Sequence, residues 1–324
     1  MTRGIRALVT ALSVFVLAIA VAACGSSDKS SSSSSSGGSS SGNAIKKNSA
    51  NAGKSITVGS KNFTEQFILG EIYSQALQAA GYKVKKKLNL GSEVVAYKAL
   101  KTHDIDAFPE YTGTTLTSDY GVKVTDVPKD ANQAYDEVKT KAKADKITAM
   151  PQAPFDNTYR LGMTKAGAAK IGNPTKISDL KGKSQNLVVN GFPECRQRPD
   201  CLLGVQKTYG LKFKKFLASE QKYEVLDKGQ ADVAFVFTTD ANLATNKYVI
   251  LDDDKKLFPP YHISFMIRDD VLSKLGPDAQ KVVTQVQSQL TDENMRELNS
   301  RVDLDKKTPK EVASEYLKEG GYVK

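Results

Sequence analysis

From Ile56 to Gln66 the chain reads Ile-Thr-Val-Gly-Ser-Lys-Asn-Phe-Thr-Glu-Gln. The β-branched residues before Gly-Ser predict a strand over residues 55–59, and the polar residues that follow predict a loop. The segment 105–115 follows the same plan and reads Ile-Asp-Ala-Phe-Pro-Glu-Tyr-Thr-Gly-Thr-Thr, with a strand predicted over residues 105–108. Because open α/β sheets bind small ligands where their strands end, both loops are candidate binding segments.

Strand and helix signals alternate through most of the chain. Apolar residues recur at helical spacing over residues 65–80, and Gly81 ends that helix. Further helices are predicted over residues 92–102, 131–144, 201–209 and 219–228, and strands over 159–163, 186–189, 233–236, 248–251 and 262–267. From Asp270 onward the pattern is almost wholly helical, with Pro309 at the start of the last helix. About 270 residues of α/β pattern exceed one usual core, so the sequence predicts two lobes.

The first residues have the pattern of a signal peptide. Arg3 and Arg6 precede an apolar run over residues 7–23, so residues 1–23 are predicted to be a secretory signal. The run ends in Val-Ala-Ala-Cys, which resembles a bacterial lipobox, and this resemblance implies a lipid on Cys24. An uncleaved membrane anchor is the alternative, although the run is at the short limit for a membrane span.

Residues 24–53 are predicted to be a tether that begins at the lipid-modified cysteine. Residues 25–42 are nearly all Ser and Gly, a composition that cannot bury apolar surface and behaves as flexible coil. The tether would hold the folded part near the outer face of the membrane.

Charge and cysteine usage agree with export. The chain has 46 Lys and Arg against 36 Asp and Glu, and the mature chain would keep an excess of basic residues. Nucleic acid is not an expected partner, because an exported protein rarely meets it. The basic cluster over residues 83–87 is therefore interpreted as a solvated strand face.

The two remaining cysteines, Cys195 and Cys201, form an even pair six residues apart in a compartment where disulfides persist. We predict a disulfide between them, which would shape the short loop that carries Arg198. A metal site is the competing interpretation, and the only two histidines, His103 and His262, give no ligand cluster at recognisable spacing.

Five short motifs occur in a characteristic order: Gly-Ser-Lys-Asn-Phe-Thr-Glu-Gln, Glu-Tyr-Thr-Gly-Thr, Asn-Thr-Tyr, Thr-Thr-Asp and Phe-Pro-Pro-Tyr. Together they resemble the substrate-binding proteins of osmoprotectant ABC importers, which capture glycine betaine, choline, carnitine and similar quaternary amines. The resemblance covers the chain from about Ser55 onward. It implies an α/β, two-lobe periplasmic-binding-protein fold of type II, in which each lobe is a mixed sheet flanked by helices and the ligand lies in the interlobe cleft. Lobe 1 would comprise residues 54–154 and 260–324, and lobe 2 residues 155–259.

A quaternary ammonium group has no N–H donor, so aromatic ring faces must hold it. The resemblance implies an aromatic cage at four motif positions, which are Tyr111, Tyr159, Phe237 and Tyr261. Two positions depart from relatives: Phe237 stands where many have Tyr, and Asn157, also a predicted ligand contact, stands where some have an acid.

The resemblance also implies contacts to the polar end of the ligand. Lys61, Thr114 and Arg198 match positions that hold a carboxylate, and Gln66 matches one that hydrogen-bonds ligand. The expected partners are a small quaternary amine and an ABC permease with its ATPase, with the lipid anchor as the only membrane contact. No cofactor or metal is expected.

An enzyme is the main rival class. The chain contains no Gly-x-Ser-x-Gly elbow, no His-Glu-x-x-His motif and no phosphate-binding loop, so we predict a binding protein and not an enzyme. The remaining alternatives are a binding protein for another small cation or amino-acid-like solute, a surface lipoprotein without a transport role, and a hydrolase.

Overall fold

Two five-stranded sheets are present in the computed structural model, which describes residues 42–324. The predicted signal peptide and Cys24 lie outside the described residues, as does most of the Ser/Gly run. The first sheet contains β1 (Ser55–Gly59), β2 (Lys83–Lys87), β3 (Ala107–Tyr111), β4 (Ile147–Ala149) and β10 (Ile263–Arg268). The second contains β5 (Tyr159–Thr164), β6 (Val188–Gly191), β7 (Lys215–Ala218), β8 (Val233–Phe237) and β9 (Tyr248–Leu251).

Both sheets are mixed and share one plan. The strand order is β2-β1-β3-β10-β4 in the first sheet and β7-β6-β8-β5-β9 in the second. In each sheet the first three strands are parallel, and the fourth, β10 or β5, runs antiparallel to both of its neighbours. The predicted two-lobe fold with mixed sheets is therefore confirmed.

Helices lie between the strands and after the last one. In chain order they are α1 (Thr64–Ala79), α2 (Glu93–Lys101), α3 (Thr112–Thr114), α4 (Ala131–Ala144), α5 (Lys165–Lys170), α6 (Leu202–Tyr209), α7 (Lys222–Asp227), α8 (Asp269–Leu275), α9 (Pro277–Gln287), α10 (Asp292–Asp303) and α11 (Pro309–Glu319). The last helix begins with a capping box between Thr308 and Glu311, as expected for a start at Pro309. Helices α9, α10 and α11 each pack on α1, which itself packs on β1, β2 and β3, so the C-terminal helices lie beside the first sheet.

Strand β3 continues beyond the predicted end at Phe108 and includes Pro109. The hydrogen bonds to β10 fall at Asp106 and Thr112, and by alternation the nitrogen of Pro109 points away from β10. On that other side β3 pairs with β1 only at Ala107. Proline therefore lies where no ladder hydrogen bond is needed, and the strand can carry Tyr111 to the edge of the cleft.

The described part of the predicted tether is attached to the fold from Asn43 onward. The Ile45 amide donates to the Tyr322 carbonyl (2.9 Å), and the Asn48 amide donates to the Ala80 carbonyl (3.1 Å). A short 3-10 turn, Ser49–Asn51, follows. Through these hydrogen bonds the segment connects the end of α1 with the C-terminal residues. It can do so because the Ser/Gly composition stops at residue 42, and side chains that can bond and pack begin soon after.

The chain passes between the sheets twice, once between β4 and β5 and once between β9 and β10. The resemblance to osmoprotectant-binding proteins implies two crossings between the lobes that act as a hinge, near residues 154–159 and 258–261, and these ranges overlap the two passages. They lie side by side: Asp156 forms an isolated bridge with His262, and the Tyr261 amide donates to Asp156 Oδ1 (2.7 Å). A hinge motion at this place stays a prediction.

Candidate functional site

A cavity of about 530 Å³ lies between the two sheets. Its walls come from the loops that follow β1, β3, β6, β7 and β8, from the start of β5 and from α10. This volume suits a small molecule. Six acidic and three basic side chains line the cavity, so its wall has an excess of acidic groups although the whole chain is basic.

Eight of the nine predicted ligand residues line this cavity, although they are far apart in the chain. They are Lys61, Tyr111, Thr114, Asn157, Tyr159, Arg198, Phe237 and Tyr261. The ninth, Gln66, does not line it. The Gln66 side chain is fully buried and its Oε1 accepts the amide of Lys61 (3.2 Å), so it supports the loop that presents Lys61.

Tyr159, the first residue of β5, is the centre of an aromatic cluster. Its ring centroid lies 4.8 Å from that of Phe237 and 5.5 Å from that of Tyr261, and the Tyr261 ring is nearly perpendicular to it at 89°. A further ring, Phe192, stacks on Tyr159 at 6.1 Å and 20°. All four rings line the same cavity, so three of the four predicted cage residues form one contiguous aromatic wall.

Tyr111 forms a second wall, where its ring stacks with Phe63 at 6.2 Å and 17°. The glycine of the Glu-Tyr-Thr-Gly-Thr motif, Gly113, allows this wall to approach the first. A Cβ on Gly113 would lie 2.8 Å from both the carbonyl oxygen of Pro260 and the ring of Tyr261. Glycine is therefore required here by the close approach of two segments that are far apart in the chain.

The carboxylate of Glu65, which sequence reasoning did not single out, lines the cavity and is almost fully buried. Its Oε1 accepts from the Tyr111 hydroxyl and from Asn157 Nδ2, both at 2.7 Å. Its Oε2 accepts from the Thr239 hydroxyl (2.6 Å) and from Asn299 Nδ2 (2.9 Å). Burial raises the pKa of the Glu65 carboxyl, and these four donors oppose the rise. This carboxylate thus links α1 of lobe 1 to the second lobe and to the crossing.

Two lysines of the chain itself lie beside cage rings. Lys61 Nζ is 4.4 Å from the ring centroid of Tyr111, and it forms a buried ion pair with Glu110. Lys222 Nζ is 4.4 Å from the ring centroid of Phe237. Each of these two rings therefore already has a cation of the chain itself at a distance typical of cation–π contacts.

Arg198 lines the cavity and bonds to carboxylates on both sides of it. Its Nε donates to Asp200 Oδ1 (2.8 Å) and its Nη2 to Asp200 Oδ2 (2.5 Å), a bidentate pair. Its Nη1 donates to Glu93 Oε1 (2.6 Å) at the start of α2. The buried Asp200 also accepts the hydroxyl of Tyr261 (2.6 Å), so one carboxylate orients both a cage ring and the arginine.

Cys195 and Cys201 are joined in a disulfide. The closed loop contains Arg198 and Asp200, and both sulfur-bearing residues are fully buried. Closing so small a loop contributes on the order of 2 kcal/mol by chain-entropy arithmetic. The greater consequence is positional, because the bond holds the bidentate pair at the edge of the cavity.

Sequence reasoning missed Glu65, Glu93, Phe192 and Asp200. Glu65 was within reach, since it lies inside the first quoted motif, directly before the predicted Gln66. Phe192 directly follows β6, and the expectation that ligand groups follow strand ends could have selected it. Asp200 lies two residues after Arg198, so its pairing with that arginine was within reach of the sequence, whereas Glu93 is 105 residues away and carries no such signal.

At the end of the helical turn Thr115–Asp119, the buried carboxylate of Asp119 has no hydrogen-bond partner within residues 42–324. Burial, with the nearby charge of Glu110, raises the pKa of Asp119 to about 9. The pKa of an aspartate in the unfolded chain is about 3.9, so above this value the folded state retains a proton that the unfolded state releases. Raising the pH from 5 to 9 should therefore destabilise the protein through this group.

We expect Asp119→Asn to reduce this loss, because the amide cannot ionise. The melting temperature of the variant should exceed that of the wild type by a margin that widens between pH 5 and pH 9, measured by differential scanning calorimetry. The control is Asp136→Asn, because Asp136 is exposed and paired with a lysine. A margin that stays constant or narrows with rising pH would contradict the prediction.

Residues 42–324 lack two features. No helix in this range is long and apolar enough to cross a membrane. The same range holds no group of three or more His, Cys, Asp or Glu side chains that could bind a metal ion.

Two lobes with mixed sheets and a polar and aromatic cleft between them define a two-lobe periplasmic binding protein. A family model described as the substrate-binding domain of an ABC-type glycine betaine transport system matches residues 54–319. The chain belongs to this family.

Individual relatives agree with this assignment. The chain is 30% identical, over 83% of its length, to an ergothioneine transport permease/ergothioneine binding protein of Helicobacter pylori (strain G27), and spans about half (48%) of that relative. It is 31% identical, over 82% of its length and 88% of the relative, to a glycine-betaine-binding protein of Pseudomonas aeruginosa. A crystal structure described as a glycine betaine/carnitine/choline ABC transporter superposes with a TM-score of 0.68 at 26% identity, covering 82% of this chain and 98% of the other.

Proposed function

We propose that the protein is the substrate-binding component of an ABC importer and captures glycine betaine or a related quaternary ammonium compound. One observation carries the proposal: the four aromatic residues at the family motif positions, Tyr111, Tyr159, Phe237 and Tyr261, line a single cavity. Each ring face is worth roughly 0.5 to 2 kcal/mol toward a cation, so several together can support micromolar capture.

The contacts between the lobes support a binding protein whose conformation depends on whether a ligand is bound. Glu65 and Arg198 each bond to groups on both sides of the cavity. A ligand that adds contacts to both sides would stabilise the closed form, and the permease with its ATPase would recognise that form.

The proposal includes an extracytoplasmic location through a lipid on Cys24. It rests on the signal-like residues 1–23 and on the Ser/Gly run that follows. Metabolic labelling with palmitate tests it, since a lipoprotein incorporates the label in the wild type and not in Cys24→Ser.

Thermal unfolding tests the ligand class. We expect choline, glycine betaine or carnitine to raise the melting temperature, since a ligand at 100 times its Kd adds about 2.7 kcal/mol to the free energy of unfolding. Free amino acids such as glycine and proline serve as controls and should cause no shift. Ergothioneine, which also has a trimethylammonium group, belongs in the panel. If no quaternary amine shifts the transition, the proposed ligand class is wrong.

A further inference from the structure

All three cations that line the cavity already have acidic partners. Lys61 is paired with Glu110, and Arg198 with Asp200 and Glu93. Lys222 is paired with Asp240 at 2.7 Å. A ligand carboxylate would therefore have to share a cation whose charge an acid of the chain already neutralises, and two carboxylates would then lie in one small space.

Other acids of the cavity wall have no basic partner. Among residues 42–324, no Lys, Arg or His nitrogen lies within 4 Å of the carboxylates of Glu65, Glu194, Glu220 or Asp303, all of which line the cavity. Three of these side chains are exposed, and Glu65 is buried in the wall between the lobes. The charge that would complete this site is positive, and a second negative group would be repelled.

The free hydrogen-bonding atoms of the wall give an independent indication. The side-chain oxygens of Asn157 and Asn299 are buried and have no partner in the described chain. Both amides point their nitrogens at Glu65, which when ionised can only accept, so their oxygens are fixed as free acceptors. A ligand hydroxyl can donate to such an oxygen, and an ionised carboxylate cannot.

We propose, on the basis of the function proposed above, that the preferred ligand is a quaternary ammonium alcohol. Such a molecule has one net positive charge, a hydroxyl donor and no carboxylate, and choline is the simplest example. The aromatic rings would hold the trimethylammonium group, the acids of the wall would supply its counter-charge, and Asn157 or Asn299 would accept the hydroxyl.

Three ligands of similar size separate these contributions when their Kd values are measured by isothermal titration calorimetry on the purified protein. Choline has the charge and the hydroxyl, ethyltrimethylammonium lacks the hydroxyl, and glycine betaine replaces it with a carboxylate. We expect choline to bind at least tenfold more tightly than glycine betaine and at least threefold more tightly than ethyltrimethylammonium.

A variant that releases Arg198 tests the charge argument in a different way. Glu93 is partly exposed at the start of α2, so Glu93→Gln should leave the fold intact. The arginine would then be freer to take a ligand carboxylate, and the preference for choline over glycine betaine should fall at least threefold. The matched control is Glu71→Gln, a glutamate on α1 that is paired with Lys86 and does not line the cavity, and it should leave the preference unchanged.

The outcomes separate this inference from the proposed function. If glycine betaine binds as tightly as choline or more tightly, the inference is overturned and the proposed function stands. A preference that Glu93→Gln and Glu71→Gln alter equally would also overturn it. If the wild type binds none of the three ligands, the proposed function fails, and the inference fails with it.

Discussion

Tyr159→Leu is expected to weaken the binding of a quaternary amine by at least tenfold, about 1.4 kcal/mol. Leucine keeps much of the apolar area but removes the ring face that can attract a cation. The effect should be large because the Tyr159 ring lies within 6.1 Å, centroid to centroid, of Phe192, Phe237 and Tyr261. Its loss also removes the support that holds those rings in place. Calorimetric titration with choline measures the change in Kd.

Tyr248→Leu is the matched control for this variant. Tyr248 begins β9, the strand next to β5, and its ring packs on Tyr223 away from the cavity. Both variants should lose stability, and only Tyr159→Leu should lose affinity. Equal Kd values for choline in the two folded variants would show that Tyr159 is a packing residue. The proposed cage would then no longer include its central ring.

Asp200→Ala is expected to lower the free energy of unfolding by about 3 to 5 kcal/mol, the usual cost of removing one partner from a buried ion pair. The Asp200 side chain is almost fully buried, and it accepts two hydrogen bonds from Arg198 and one from the Tyr261 hydroxyl. After the substitution Arg198 keeps only Glu93 as a charged partner. Urea unfolding of wild type and variant measures the difference at constant m-value.

The control for this prediction is Asp136→Ala. Asp136 also has a cationic partner, Lys139, but both side chains are exposed, so the cost should be below about 1 kcal/mol. A loss below about 1 kcal/mol for Asp200→Ala as well would mean that the arginine finds another partner or solvent when Asp200 is removed. In that case Asp200 would not be the residue that orients Tyr261.

The order of secondary structure elements could be predicted because it depends on local patterns. Helix α1 was predicted over residues 65–80 and is observed as Thr64–Ala79, and β9 agrees with its predicted range. The predicted end of β3 was wrong, because proline usually stops a strand and is tolerated here only because its nitrogen faces β1 beyond the one position, Ala107, at which the two strands pair. That exception depends on the neighbouring strands and could not be read from the local sequence.

The candidate site could likewise be predicted from the sequence only in part. Motif positions placed Tyr111, Tyr159, Phe237 and Tyr261 in one set, and the structure brings all four to one cavity. The motifs could not reveal that Lys61 and Arg198 already hold distant acidic partners, Glu110 and Glu93. Ion pairing depends on side-chain positions within about 4 Å, and residues such as Lys61 and Glu110 are 49 positions apart in the chain.

Residue types and their order alone determined the α/β alternation, the cysteine pair and the aromatic positions, because periodicity, spacing and motif order are properties of the chain itself. Only the tertiary structure decided the electrostatic character of the cleft. Glu65 became a buried carboxylate shared by four donors, and Asn157 and Asn299 kept free acceptor oxygens, because folding placed distant segments around one cavity. Burial then sets which charges are neutralised and which remain for a ligand.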